Sequence, residues 1–166
     1  MLTDSERQFL LKIARQSIES AATSSPSPTT DDCPSSLKER CGAFVTLREG
    51  RDLRGCIGYI EAILPLAETI ADVAAKAARE DPRFLPVSRD ELPRIEIEIS
   101  VISPMNPIRN VDEIEIGKHG LMLVFGNKRG LLLPQVPVEL GWDKETFLEQ
   151  TSRKAGLPKD TWQHPS

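Results

Sequence analysis

An alternating stretch near the middle of the chain constrains the fold most. It reads RIEIEISV, and it places four aliphatic residues at every second position: Ile95, Ile97, Ile99 and Val101. The residues between them are Glu96, Glu98 and Ser100. Successive side chains of a strand point to opposite faces, so this pattern predicts one buried and one polar face, as in an antiparallel sheet.

Two hairpins are predicted from strand-forming runs that are separated by turn residues. The first joins Gly42–Arg48 to Leu53–Tyr59, and the second turns at Gly126–Asn127. We expect one antiparallel sheet that contains Phe44–Leu47, Leu53–Ile57, Ile95–Val101, Leu121–Phe125 and Gly130–Leu133. The predicted fold class is therefore α+β, with helices packed on the sheet.

Three helices are indicated by capping signals and helical periodicity. Thr3 and Glu6 form a predicted capping box for the first helix. The second spans about Leu66–Arg79, and the third spans about Lys144–Ala155 with Gly156 behind it. The segment Thr23–Ser36 is rich in Ser, Thr and Pro, and it is expected to be a flexible linker with few buried side chains and no role for its Cys33.

Composition excludes several classes of protein. The chain has 166 residues and a formal net charge of −4, which favours one domain and gives little electrostatic support for nucleic-acid binding. Its apolar runs are too short to span a bilayer, and its first residues lack a signal-peptide pattern, so we expect a cytoplasmic protein. Three cysteines and two histidines argue against a disulfide framework and a zinc site. The cofactor and the oligomeric state stay open.

The motif LRGCIG carries the most informative cysteine. Cys56 follows Arg54 and lies between Gly55 and Gly58. One interpretation is a small packed residue whose flanking glycines let a helix approach the sheet. The other is a thiol near Arg54 that is activated as a nucleophile.

Three further polar residues are candidates for a site. Glu98 lies on the polar face of its predicted strand and could act as an acid or base, or it could be a solvated surface charge. His119, in GKHG, could transfer protons or be an exposed turn residue. Gln135 could offer its amide to a ligand or terminate a strand.

Taken together, the motifs identify the chain as resembling a known family. CGAFVTLREGRDLRGCIG, DPRFLPVSRDELPRIEIEISV and the segment from IEIGKHG to KAGLPKDTW are similar, in this order, to the AMMECR domain family. The resemblance implies one domain over residues 1–166, described as a two-lobed α+β fold. No reaction is established for that family.

The resemblance also implies partners and site residues. Its bacterial and archaeal members are often encoded with a Memo-like protein and a radical SAM protein, the AmmeMemoRadiSam system. The family motifs include these positions of the present chain: Arg54, Gly55, Cys56, Ile57, Gly58, Asp81, Arg83, Phe84, Glu98, His119, Gly120, Leu133, Pro134 and Gln135. Many members carry Cys where this chain has Ser152, which argues against a catalytic cysteine pair.

The predicted site gathers Cys56, Glu98 and His119 as catalytic residues. Arg54, Gly55, Gly58 and Gln135 are expected to bind the ligand, with an Arg54–Glu98 ion pair if their two strands are neighbours. Two functions follow from these residues. The first is an enzyme or ligand-binding protein that acts on a small molecule or a modified partner. The second is a non-catalytic adaptor that docks a protein partner.

Overall fold

The computed structural model describes residues 2–164, which form helices and antiparallel sheets in two compact units that divide between Met105 and Asn106. The α+β class is confirmed. The elements, in chain order, are α1 (Asp4–Thr23), β1 (Gly42–Glu49), β2 (Asp52–Tyr59), α2 (Leu66–Arg79), β3 (Ile95–Ile102), β4 (Leu121–Phe125), β5 (Lys128–Leu132), α3 (Gln135–Glu139) and α4 (Lys144–Lys154). Short 3₁₀ helices lie at Ser35–Lys38, Arg89–Arg94, Val111–Glu113 and Thr161–Gln163.

Helix α1 begins where its capping box predicted, and helix α2 has both of its predicted bounds. The Thr3 hydroxyl accepts the Glu6 N–H at 3.3 Å, and the Glu6 carboxylate accepts the Thr3 N–H at 2.7 Å. These two bonds satisfy free donors of the first turn of α1. Helix α2 ends at Arg79, just before Asp81–Pro82, because a residue that precedes proline disfavours the helical conformation.

The first unit contains a three-stranded sheet in the order β2-β1-β3, and both pairings are antiparallel. On one face of β1, Ala43, Val45 and Leu47 are fully buried in the apolar core with residues of α1 and α2. Ile95 is buried in the same core, and Ile97 and Ile99 pack against it, so the alternation of RIEIEISV has its predicted consequence over these three residues. Val101, near the end of β3, is 38% exposed, and its predicted burial is wrong.

A bulge interrupts the pairing of β1 with β2. Leu47 pairs with Gly55 while the next residue, Arg48, pairs with Leu53, so Arg54 is the extra residue. An inserted residue bends the strand and re-aims its side chain. Arg54 therefore does not follow the simple alternation on which its predicted orientation was based.

The second unit holds a separate two-stranded sheet of β4 and β5. The predicted hairpin is confirmed, and Gly126 adopts φ 60° in its turn. The prediction of one five-stranded sheet is wrong. A Cβ on Gly130 would lie 2.4 Å from the Ala155 nitrogen, so the hairpin backbone lies directly against the end of α4 rather than extending the other sheet.

The Ser- and Pro-rich segment is irregular between residues 24 and 34, and its flexibility stays a prediction. Cys33, which was assigned no role, is 9% exposed and belongs to the core of the first unit. Four residues later, Leu37 is fully buried. Apolar burial thus fixes the end of this segment, because its side chains find core space that composition does not reveal.

Two properties of residues 2–164 bear on the sequence predictions. None of the helices in this range combines the length and the hydropathy that a membrane crossing requires. All three cysteines, Cys33, Cys41 and Cys56, are free thiols.

Candidate functional site

A row of polar side chains crosses the three-stranded sheet. Thr46 of β1 pairs with Cys56 on one side and with Glu98 on the other. Directly paired residues share a face, so the three side chains lie on the face opposite Val45 and Leu47. Cys56 and Glu98 are two strand spacings, about 9.5 Å, apart along this row. The Thr46 hydroxyl lies 3.3 Å from the Cys56 sulfur, at hydrogen-bonding distance.

The predicted Arg54–Glu98 pair is not formed, because β1 lies between β2 and β3. The carboxylate of Glu91 accepts bonds from Arg54 Nε at 2.7 Å and from Nη2 at 3.3 Å. The Arg54 bonds, together with bonds from Ser88, lower the pKa of Glu91 to about 2. Glu98 instead has Arg48 at 3.7 Å.

Asp81 connects the Cys56 strand to the loop that follows α2. Asp81 is 4% exposed, and its carboxylate accepts the backbone N–H of Cys56 at 2.9 Å. It also accepts Arg83 Nε at 3.0 Å and Nη2 at 2.7 Å, together with the Arg83 backbone N–H. The Arg83 bonds are the main reason that the pKa of Asp81 is held below its usual range.

The Arg83 guanidinium lies beside Cys56. Arg83 Nη2 and the Cys56 nitrogen bind the same carboxylate oxygen of Asp81, at 2.7 and 2.9 Å. The pKa of Arg83 is raised, chiefly by its hydrogen bonds to Asp81 and in smaller part by the charge of Cys56. The Asp81 carboxylate thus links the Arg83 side chain to the Cys56 backbone.

Phe84 brings a second arginine to the same cluster. Its ring centroid lies 5.8 Å from the Arg54 guanidinium carbon and 5.5 Å from that of Arg83. The Arg54 Nη1 atom is buried, and within residues 2–164 it has no hydrogen-bond acceptor. A buried donor without an acceptor costs free energy, so this atom is a place where a water or ligand oxygen would be stabilising.

Close packing explains why both positions in LRGCIG are occupied by glycine. A Cβ on Gly55 would lie 2.4 Å from the Ala77 carbonyl oxygen of α2, and one on Gly58 would lie 2.3 Å from the Phe44 ring. Gly55 thus permits the close approach of helix and strand that one interpretation predicted. Ligand binding at either glycine stays a prediction.

The other candidate residues lie in the second unit. The His119 Nδ1 accepts the Glu115 N–H at 3.2 Å in a turn before β4. Because Nδ1 accepts this bond, Nε2 is the ring nitrogen left to face other groups. Gln135 is the first residue of α3. The convergence of His119 and Gln135 with Cys56 stays a prediction.

Ser152, the departure from the family pattern, is fully buried in α4. Its hydroxyl donates to the Leu148 carbonyl one turn earlier at 3.0 Å. This is a common way for a serine inside a helix to satisfy its polar group.

Two open clefts in the first unit are lined by other residues. The larger, of about 380 Å³, lies between the end of α1, the irregular segment, and Arg89 and Leu92. The smaller, of about 230 Å³, lies between Thr30–Lys38 and the start of α2. Within the described part of the chain, no cluster of three or more His, Cys, Asp or Glu side chains is arranged to hold a metal ion.

Comparison with known proteins decides the family. The AMMECR1 family model matches residues 11–166. The chain belongs to the AMMECR1 family. This confirms the resemblance that its motifs indicated.

Several relatives of this AMMECR1 domain are archaeal proteins of similar length. A protein of Thermococcus gammatolerans is 44% identical over 99% of this chain and 85% of its own length. Protein MK0488 of Methanopyrus kandleri is 46% identical over 99% of this chain and 84% of its own. The crystal structure of the uncharacterized protein PH0010 of Pyrococcus horikoshii superimposes with a TM-score of 0.90 at 41% identity, covering 97% of this chain and 85% of that one.

Three residues of the Cys56 cluster were not predicted as site residues of this AMMECR1 domain. Asp81 and Arg83 were recognised only as motif positions, and Thr46 was not singled out. The sequence signal that could have identified Asp81 is its acidic side chain directly before proline at a helix end. Such a carboxylate is free to bind backbone N–H groups of a neighbouring strand.

Proposed function

We propose that this AMMECR1 domain is a thiol-dependent enzyme that acts on a small molecule or a modified partner, with Cys56 as its nucleophile. One observation carries the proposal. The buried Asp81 carboxylate binds the Cys56 N–H and also holds Arg83 beside that residue. A structural cysteine needs no oriented cation, whereas a thiolate nucleophile is stabilised by one.

The proposed step is a group transfer to sulfur. The Cys56 thiolate forms a bond to an electrophilic carbon of the substrate, and the leaving group departs with the electron pair of the bond that breaks. Thr46 orients the sulfur through its hydroxyl. Glu98, on the same face of the sheet beyond Thr46, accepts the thiol proton through water.

The proposal includes a cellular context. We place the enzyme in the cytoplasm, where thiols stay reduced. The family resemblance supports a pathway that it shares with Memo-like and radical SAM proteins. His119 and Gln135 are retained as proposed site residues of the second unit, with His119 as a proton-transfer residue and Gln135 as a ligand-binding residue.

Site-resolved alkylation tests the nucleophile. At neutral pH, iodoacetamide should modify Cys56 faster than Cys41, because burial and the nearby Glu39 charge raise the pKa of Cys41. Peptide mass spectrometry distinguishes the two cysteines and Cys33 in one reaction. A Cys56 rate equal to or below that of Cys41 in the folded protein contradicts the proposal.

Exposed apolar side chains support a second candidate function, a docking module. Leu85 follows Phe84 in the same loop and is 84% exposed. Large exposed apolar residues near a polar site can anchor a protein partner. In this case Leu85→Asp should abolish binding of a purified Memo-like protein, measured by calorimetry, while Cys56→Ser should leave the affinity unchanged.

A further inference from the structure

We infer that the substrate of this site carries a carboxylate or phosphate group, which Arg83 binds next to the Cys56 sulfur. The inference rests on the proposed function, because it assigns a substrate class to the same nucleophile. It depends on the donors that Arg83 has left over, on how firmly they are oriented and on their position.

Arg83 has spare hydrogen-bond donors that face water. A guanidinium carries five N–H donors in a planar fork. Asp81 accepts from the Nε and Nη2 atoms, and the Arg83 side chain forms no other hydrogen bond to the described part of the chain. That side chain is 55% exposed. The outer edge of the fork is therefore available to an oxyanion.

The inner edge of the fork is held in place. Two parallel bonds to one carboxylate fix the plane of a guanidinium, and Asp81 is itself buried. Prior orientation lowers the entropy that ligand binding would cost. An exposed arginine on a mobile surface would have no such advantage.

The position of the fork selects the kind of ligand. Arg83 Nη2 and the Cys56 nitrogen share one oxygen of Asp81, so an oxyanion bound by this fork is held beside the Cys56 residue. A planar fork matches the two oxygens of a carboxylate or phosphate. Since Asp81 offsets the net charge, recognition relies on directed N–H donors more than on a long-range field.

Two alkylating reagents of equal reach separate the contribution of Arg83 from the nucleophilicity of Cys56. Iodoacetate carries a carboxylate, and iodoacetamide is its neutral counterpart. Both form the same carbon–sulfur bond and release iodide. We would measure the iodoacetate-to-iodoacetamide rate ratio at Cys56 in the wild type and in Arg83→Gln, with folding checked by thermal melting. Arg7→Gln, on the exposed side of α1, removes the same charge and is the matched control.

The ratio should fall about three- to tenfold in Arg83→Gln, the size expected for the loss of a directed hydrogen bond, and stay unchanged in Arg7→Gln. Arg83→Lys should recover part of the ratio. Inorganic phosphate should protect wild-type Cys56 from iodoacetamide. Equal ratios in the wild type and Arg83→Gln, or no protection by phosphate, overturn the inference. Slow iodoacetamide labelling overturns the proposed function instead, and the ratio can still be read from slow rates.

Discussion

Neighbouring positions at the centre of β1 are buried to a similar extent but differ in the chemistry around them. Val45 and Leu47 are fully buried among aliphatic side chains, and Thr46 between them is only 6% exposed. Thr46 lies among groups that form hydrogen bonds, next to Cys56 and in line with Glu98. Burial therefore does not distinguish core from site in this sheet. The distinction is whether a buried polar group has a partner, because an unpaired one costs free energy.

Strand β2, which carries Cys56, is likewise fixed by two contacts of different kinds. On the core side, Gly55 lets the strand touch the α2 backbone. At the outer edge of the sheet, Asp81 accepts the N–H of Cys56. One contact depends on shape and the other on charge, so they should respond differently to substitution.

Gly55→Ala should cause the largest loss of stability, about 3 kcal/mol, because its Cβ would lie 2.4 Å from a backbone oxygen that cannot rotate away. The melting temperature should drop by roughly 10 °C. Gly50→Ala is the matched control in the β1–β2 turn: it has φ 61° and nothing within 4 Å, so it should cost only about 1 kcal/mol of strain. Equal losses in the two variants would contradict close packing at Gly55.

Asp81→Asn should cost about 2–3 kcal/mol, since it removes the charge from a buried carboxylate that binds Arg83 and the Cys56 N–H. Urea unfolding measures the loss, and hydrogen exchange should show a faster Cys56 amide. Arg94→Gln breaks the exposed pair with Glu49 and should cause no measurable change. The charge-based contact is absent if Asp81→Asn behaves like that control.

Two substitutions on β1 test the difference between its faces. Val45→Thr places a hydroxyl on the apolar face, and Thr46→Val removes one from the polar face. The first places a hydroxyl among fully buried aliphatic side chains and should cost about 1–3 kcal/mol. The second removes one hydrogen bond to Cys56 and should cost less than about 1 kcal/mol. Denaturant midpoints of the two variants give the difference directly. A larger loss for Thr46→Val would mean that the polar face carries more stability than the core face.

The acid response should give the smallest effect. Hydrogen bonds from Arg54 are the main cause that lowers the pKa of Glu91 from 4.5 to about 2. A lowered folded-state pKa contributes stability that is present above pH 4.5 and is lost as the pH falls toward 2. The Glu91 side chain is 21% exposed, and water screens its charge, so we expect this pH-dependent contribution to the free energy of unfolding to be about 1 kcal/mol. Unfolding free energies of wild type and Glu91→Gln should converge by that amount between about pH 5 and pH 2; parallel curves would exclude the contribution.

Local features of the fold could be predicted from the sequence, because their causes lie within a few residues. The Thr3–Glu6 capping box, the α2 boundaries and the Gly126 turn are of this kind. The predicted number of sheets was wrong because it depends on which elements, far apart in sequence, pack together. Gly130 shows this, because the absence of a side chain there lets β5 pack against the end of α4, which is distant in sequence.

The candidate site was predicted in part for the same reason. Alternation was enough to place Glu98 on the polar face of its strand. It could not show that β1 lies between Glu98 and Cys56, or that a bulge displaces Arg54. The partner of Arg54 is Glu91, 37 residues away in a short 3₁₀ helix. No spacing rule connects those two residues.

The burial of Cys33 has a consequence for how the chain tolerates changes in length. Residues 24–32 lie between the end of α1 and this anchored thiol, and none of them is buried. An insertion there lengthens a surface loop, and each doubling of loop length costs only about 0.6 kcal/mol of closure entropy. Beyond Cys33 the buried Leu37 sets where β1 can begin. A reporter peptide or affinity tag spliced in at Ser27 should therefore leave both units intact, whereas the same insertion at Ser35 would shift the start of the first strand.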